Sequence, residues 1–145
     1  MKREIKFRGL CKFTNKWAYG DLIHVDNKPY RIFIYGKESF FIKPETATQF
    51  TGLKDKNGKE IWEGDILKVH IFTQELGESL GVREGEKEFV AEIWYQELGL
   101  WLQGNNEEDG GYMLWFNGMH EESIEVIGNI FENPALLNTG GQAGN

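Results

Sequence analysis

TGLKDKNGKEIWEGDILKV, Thr51 to Val69, is the stretch whose reading decides the fold. Its acidic and amide side chains crowd around Gly58, as in a calcium loop, while apolar residues on both sides alternate as in strands. An EF-hand loop needs oxygen ligands at positions 1, 3 and 5, glycine at 6 and a bidentate glutamate at 12. With Gly58 at position 6, Asp55 and Asn57 fall at 3 and 5, but Leu53 takes position 1 and Gly64 takes position 12. Both end ligands are missing, and the calcium reading fails. The turn reading has a mechanism. Asp55 opens a turn because its carboxylate accepts backbone N–H bonds, and Gly58 supplies the positive φ of a type I turn closed by a G1 bulge. An Asn57-Gly58 type I′ pair is the competing register. Either way Phe50–Leu53 and Glu60–Trp62 become the arms of a hairpin, Glu63-Gly64-Asp65 makes a second corner, and Ile66 starts a new strand. On this reading Gly58→Val costs more than about 1 kcal/mol and Asp55→Ala costs less.

Outward from this segment the period-2 signal dominates. In EIKFRGLC, Ile5, Phe7, Gly9 and Cys11 fall on one side, with Lys6, Arg8 and Lys12 on the other. A turn centred on Thr14-Asn15 follows, then a strand from Trp17 towards Val25 with Gly20 as a bulge. Asp26-Asn27-Lys28-Pro29 breaks the chain, and YRIFIYG, apolar on both faces, reads as a central strand. Ser39–Lys43 is another short strand, and Pro44 begins a loop. In the second half Leu67, Val69 and Ile71 alternate with Lys68, His70 and Phe72, and Phe89, Ala91, Ile93 and Tyr95 alternate with Val90, Glu92, Trp94 and Gln96. Strands at Leu100–Gln103, Tyr112–Phe116 and Ile124–Ile130 complete an all-β pattern, a sandwich or small barrel. QELGESLGVREGEKE reads as a loop or a hairpin tip, since glycine at every fourth place disfavours a helix. NNEEDGG, Asn105 to Gly111, is a second exposed turn. Asn133-Pro134 signals a helix start with an asparagine N-cap, leaving one helical turn at Ala135–Leu137. The tail NTGGQAGN is expected to be disordered.

Composition bounds the rest. The 145 residues are 40% hydrophobic and 14% aromatic, which is globular and suggests a core built from large rings. The single cysteine, Cys11, cannot close an internal disulfide and fits a reducing compartment as a small buried residue. No apolar run approaches membrane-spanning length and the start MKREIKFRG has no signal-type segment, so the expected location is the cytoplasm, with no membrane partner. Charge is uneven. Residues 1–72 carry 14 Lys/Arg against 9 Asp/Glu, a balance of +5, and residues 73–145 carry 2 against 14, a balance of −12. Such asymmetry marks one face for polyanions or permits head-to-tail self-association.

No catalytic set emerges. His24, His70 and His120 are dispersed, and His120-Glu121-Glu122 lacks the second histidine of a metalloprotease helix. Ser39, Ser79 and Ser123 sit in no nucleophile elbow, and no phosphate-binding or dinucleotide fingerprint is present. Glu107-Glu108 and Glu121-Glu122 read as solvated faces. The expectation is no enzyme activity, no metal and no cofactor. One constellation stands out as a candidate binding surface. Trp94 and Trp101 lie opposite the inferred core, and Lys68 and His70 share that outward face on a neighbouring strand; aromatic rings beside cations are how small barrels hold single-stranded nucleic acid or dock a protein.

TGLKDKNGKEIWEGDILKV, followed by EVIGNIFENPALL, resembles the YopX family of phage and prophage proteins. IKFRGLCKFTNKWAYGDLI is similar to that family's opening, and KPETATQFTGL to its joining segment. The likeness covers about residues 4 to 137, departing at Thr73–Glu88 and Asn105–Gly111. It implies a mainly β protein with an SH3-like small barrel in the second half, encoded in phage-derived DNA. With the readings above, the expected organisation is an N-terminal β-hairpin and sheet lobe over residues 1–48, packed on that barrel over residues 49–137 with a shared core, one short C-terminal helical turn, and a disordered tail at 138–145, in the cytoplasm of the host cell. The resemblance implies no catalytic residues. The expected function is a non-enzymatic interaction module that binds a protein partner or forms a homo-oligomer. The alternative is a nucleic-acid-binding accessory protein that uses the basic N-terminal half and the outward aromatics, against which the acidic total stands.

Overall fold

The alternation at the start of the chain produces β1 (Phe7–Leu10) in a computed structural model that describes residues 4–33, 38–76, 82–96, 99–104, 110–113 and 123–140. The chain is mainly β, in two antiparallel sheets with one short helix, and divides into two compact units, Met1–Gly52 and Leu53–Asn145. The first unit adds β2 (Trp17–Val25), β3 (Lys28–Phe33), β4 (Ser39–Phe41), a 3-10 turn at Pro44–Thr46 and most of β5 (Thr48–Lys54), in the order β4, β3, β2, β1, β5. Asn15 adopts positive φ in the β1–β2 turn, and Asp26 and Asn27 both do so in the two-residue β2–β3 turn, the backbone a type I′ hairpin needs. Gly20 is not a bulge: it pairs in register with Phe7, and the irregularity falls between Ile23 and His24.

The first sheet curls back on itself. Cys11 bridges Ile42 beyond the end of β4, with the Lys12 N–H donating to Phe41 O at 2.9 Å and the Lys43 N–H to Leu10 O at 2.8 Å. Edge strand β4 thus meets the end of β1, and Cys11, Ala18, Ile32 and Ile42 form the enclosed core, with Phe7, Leu22 and Phe40 against it. The bare backbone of Gly9 makes room for Ile42, whose side chain lies where a Cβ on residue 9 would fall. Thr46, buried in the joining segment, accepts the Leu10 N–H at 2.9 Å and donates to Lys43 O at 2.6 Å, which holds the corner. Two expectations on β1 are corrected: Ile5 precedes the strand and is exposed, while Arg8 is buried, stacked 4.2 Å from the Trp17 ring and donating to Thr48 Oγ1. A stem packed on a ring and a bonded guanidinium offset what burial of a cation costs.

The second unit holds β6 (Glu60–Trp62), β7 (Asp65–Leu76), β8 (Val82–Gln96), β9 (Gly99–Gly104), β10 (Gly110–Met113), β11 (Ile124–Asn129) and α1 (Ala135–Gly140). Its five-stranded sheet runs β10, β9, β8, β7, β11. The inner face carries Leu67, Val69, Phe89, Ala91, Ile93 and Leu102, all buried, with Ile61 and Ile124 completing the core. Ring closure of the SH3-like kind is not among the described pairings. β7 and β8 run longer than the apolar alternation alone suggests, pairing from Ile66–Glu92 to Leu76–Val82. Gly85 is tolerated inside β8 because the two arms supply each other's backbone bonds, so the glycine-spaced segment is a long hairpin. Residues 77–81, 105–109 and 114–122, with His120, Glu121 and Glu122, and 141–145 lie outside the described residues; of the expected turn Asn105–Gly111, Gly110 and Gly111 belong to β10 instead. α1 extends to Gly140 and packs on β8. The Asn133 side chain reaches back to accept the Asn129 N–H at 3.3 Å.

The opening segment resolves as a turn with a further task. The Gly58 N–H donates to Asp55 O at 2.9 Å and Gly58 has φ +78°. Asn57 is not among the positive-φ residues, so the turn is type I with a G1 bulge and the type I′ register is excluded. Asp55 is only 4% exposed. Its Oδ1 accepts the N–H groups of Asn57 and Lys59, each at 2.9 Å, and its Oδ2 accepts the Val126 N–H at 2.9 Å. Asp55 therefore ties the hairpin to β11, and its replacement by alanine removes more than a local turn bond. At the second corner Gly64 has φ +82°, donates to Ile93 O at 2.8 Å and accepts the Ile130 N–H at 2.9 Å, while Asp65 Oδ2 accepts the Trp62 N–H at 2.8 Å.

Candidate functional site

The register puts Lys68, His70, Trp94 and Trp101 on the outer face of the second sheet. Lys68 lies opposite Val90, His70 opposite Glu88, and Trp94 directly opposite Trp101. They do not form one cluster. Val90 and Trp94 are four residues apart on β8, about 13 Å along an extended strand. The two tryptophans are half-buried, on the strand pair whose β8 member also carries α1. The Lys68–His70 end lies among acids: Lys68 Nζ is 3.2 Å from Glu88, and the His70 ring is 3.5 Å from Glu86 and 3.8 Å from Glu88. Pairs this exposed contribute roughly 0–1 kcal/mol each.

Beside them is an open hollow of about 200 Å³ lined by Lys56, Lys68, His70, Glu88, Ser123 and Glu125. Lys56 Nζ pairs with Glu125 at 3.2 Å across its rim. The lining alternates in sign, so no single ionic ligand is favoured. Among the described residues no group of three or more His, Cys, Asp or Glu side chains could hold a metal ion. Among the described residues no helix is long and apolar enough to cross a membrane.

A surface that the sequence did not reveal lies on the first unit. Ile23, Arg31 and Phe41 are directly opposite one another across β2, β3 and β4, and so form one row on one face. Arg31 stacks on Phe41 at 4.0 Å from the ring centroid and donates to Ser39 Oγ at 3.3 Å. Phe41 is nevertheless 48% exposed. Next to it is a hollow of about 400 Å³ lined by Lys12, Phe41, Ile42, Lys43, Pro44 and Glu45. Of the six exposed large hydrophobic residues among those described, five (Ile5, Phe13, Tyr19, Ile23 and Phe41) belong to this unit. The unit carries 10 Lys/Arg and 5 Asp/Glu, a balance of +5; the second carries 6 and 18, a balance of −12. The strand from Trp17 towards Val25 was legible in sequence, but joining Ile23 to Arg31 and Phe41 required the strand register.

The comparisons agree with this architecture. The family model described as YopX protein matches residues 6–138. Among solved structures, the chain is similar to protein EF1440 from Enterococcus faecalis, known from a crystal structure, with 24% identity and a TM-score of 0.55 over 94% of this chain and 99% of that one. That likeness speaks for the fold alone. No curated protein matches this chain.

Proposed function

The chain belongs to the YopX family, and on that premise we propose that it is a phage- or prophage-encoded, non-enzymatic interaction module that binds a protein partner or a second copy of itself. The observation that carries this reading is the row Ile23–Arg31–Phe41, exposed at Ile23 and Phe41, beside the Lys12 and Lys43 hollow. Aromatic and arginine side chains held in place before docking are the usual anchors of protein contacts, and burying them releases water from apolar surface. The guanidinium fixes the ring, so little rotamer freedom is left to lose. The buried carboxylate of Asp55 is engaged by three backbone N–H groups and is not poised for proton transfer.

A second reading is favoured by the same stacked pair: a ring and three cations together also suit single-stranded nucleic acid. The acidic second unit opposes it, because affinity for phosphates comes mainly from Lys and Arg in excess. Fluorescence polarisation separates the two. A labelled poly-glutamate peptide should bind at low salt and lose binding in Phe41→Ala and Arg31→Glu. Binding of a single-stranded oligonucleotide with no binding of the peptide would favour the second reading. If neither probe binds and the protein does not self-associate, the interaction-module reading falls.

A further inference from the structure

We infer that the basic, apolar face of the first unit takes the exposed Glu86–Glu88 pair on the outer sheet face of the second unit of another copy, joining chains through unlike faces. This rests on the interaction-module reading above and names its partner. The chain carries both halves of the contact. The first unit stands at +5 with Lys12, Arg31 and Lys43 around an exposed phenylalanine. The second stands at −12, and its outer sheet face presents Glu86 and Glu88, whose side chains are 63% and 53% exposed.

Glu86 and Glu88 are two residues apart on β8, so they project from the same face about 7 Å from each other. Lys68 and His70 lie 3.2–3.8 Å from the two carboxylates, and an ionised carboxylate has acceptor sites for further donors. Arg31 and the two lysines supply such donors.

Charge also selects which faces meet. A contact that set a face on its own copy would bring basic on basic or acidic on acidic, which like charges oppose, whereas unlike faces attract, in a reciprocal two-fold pair or in a head-to-tail contact. Where both contacts are reciprocated within one pair the assembly closes as a dimer, and where they are not each added copy presents a fresh face of either kind and assembly continues into a ring or an open chain.

Light scattering on the full chain tests this, from about 1 to 100 μM protein at low salt and again at about 1 M NaCl, where the screening length is about 3 Å. The expected mass at low salt and high concentration is at least about twofold the 16.7 kDa of one chain, returning to one chain at high salt. The double variants Lys12→Glu/Lys43→Glu and Glu86→Lys/Glu88→Lys should each give a one-chain mass alone. Mixed in equal amounts they should associate again to a mass of at least two chains, since each acidic face of one variant meets a basic face of the other. Circular dichroism checks that each is folded, and the glutamine versions replace any that is not. A one-chain mass of the unaltered protein at low salt throughout, or a mixture that stays at one chain, overturns the inference. In either case poly-glutamate binding that still depends on Phe41 leaves the interaction-module reading standing, and its absence removes both.

Discussion

The Asp55 carboxylate accepts the Val126 backbone N–H through Oδ2 at 2.9 Å, joining groups 71 residues apart in the chain. Val126 lies in β11, the edge strand of the five-stranded sheet. An open edge is a template for unwanted pairing. Here the turn takes the place of a neighbouring strand: Asp55 receives the Val126 N–H, and the Lys56 N–H donates to Ile124 O at 3.0 Å. One residue thus shapes a hairpin, closes a sheet edge and fixes the middle of the chain to its C-terminal part.

Asp55→Ala should therefore destabilise the protein by about 2–4 kcal/mol. Hydrogen bonds to a charged acceptor are worth about 1.5–3 kcal/mol, and an orphaned, partly buried N–H adds its own desolvation cost. Water can replace the carboxylate at exposed Asn57 and Lys59, but less readily at Val126, so most of the loss arises there. Urea denaturation measures it. A loss under about 0.5 kcal/mol would mean that the tie contributes nothing beyond an ordinary surface bond.

The same carboxylate makes stability depend on pH. Burial raises its pKa, but the N–H bonds from Val126, Lys59 and Asn57 and the nearby Lys59 charge outweigh burial and hold it below the usual 3.8. A folded value below the unfolded one means that the stabilisation is present above the unfolded value and lost as pH falls through the lowered folded one. The difference in stability between the natural protein and Asp55→Ala should be constant near neutral pH and shrink below about pH 4. A difference that widened on acidification would contradict the assignment.

How much of this was legible beforehand follows from what each signal depends on. The 55–58 turn, the two half-buried strands around Leu67–Val69 and Phe89–Ile93, and the helix start near Pro134 are local, set by glycine φ, alternation and proline chemistry. The partner of Asp55, the burial of Arg8 and the closure of β4 onto β1 are long-range, set by register and by packing between residues tens of positions apart. The candidate surface divided in the same way. Lys68, His70, Trp94 and Trp101 do share a face, as alternation says, but alternation gives no distance along the strand and does not foresee Glu86 and Glu88 beside Lys68 and His70. The Ile23–Arg31–Phe41 row needed three strands to be aligned before it existed at all.

Two glycines separate backbone strain from crowding. Gly58 and Gly64 both have positive φ, +78° and +82°. A Cβ on Gly58 meets open space, whereas on Gly64 it would lie 3.1 Å from Phe131 Cε2. Gly58→Ala should cost about 1 kcal/mol, the left-handed penalty alone. Gly64→Ala should cost about 1–3 kcal/mol more, because Phe131 must shift or strain. Thermal unfolding of the two variants side by side measures the gap, and equal melting temperatures would refute the packing account.

The closure of the first sheet hangs on Gly9 and Ile42. A Cβ on residue 9 would lie 2.6 Å from Ile42 Cδ1 and 3.0 Å from Ile42 Cβ, and Ile42 is itself buried in the small core. Because Ile42 is also the residue that bridges Cys11, it cannot retreat without loosening the Lys12–Phe41 and Lys43–Leu10 bonds. Gly9→Ala should destabilise by about 1–3 kcal/mol, as overpacking does in a filled interior. Ile42→Ala alone should cost about 2–5 kcal/mol through lost burial and the cavity left behind. In the double variant the new methyl occupies part of that cavity, so the two losses should fall short of their sum by at least about 0.5 kcal/mol. A denaturation cycle over the four proteins measures the coupling. Strict additivity would mean that residue 9 and residue 42 do not compete for the same space, and that the strand closure has another cause.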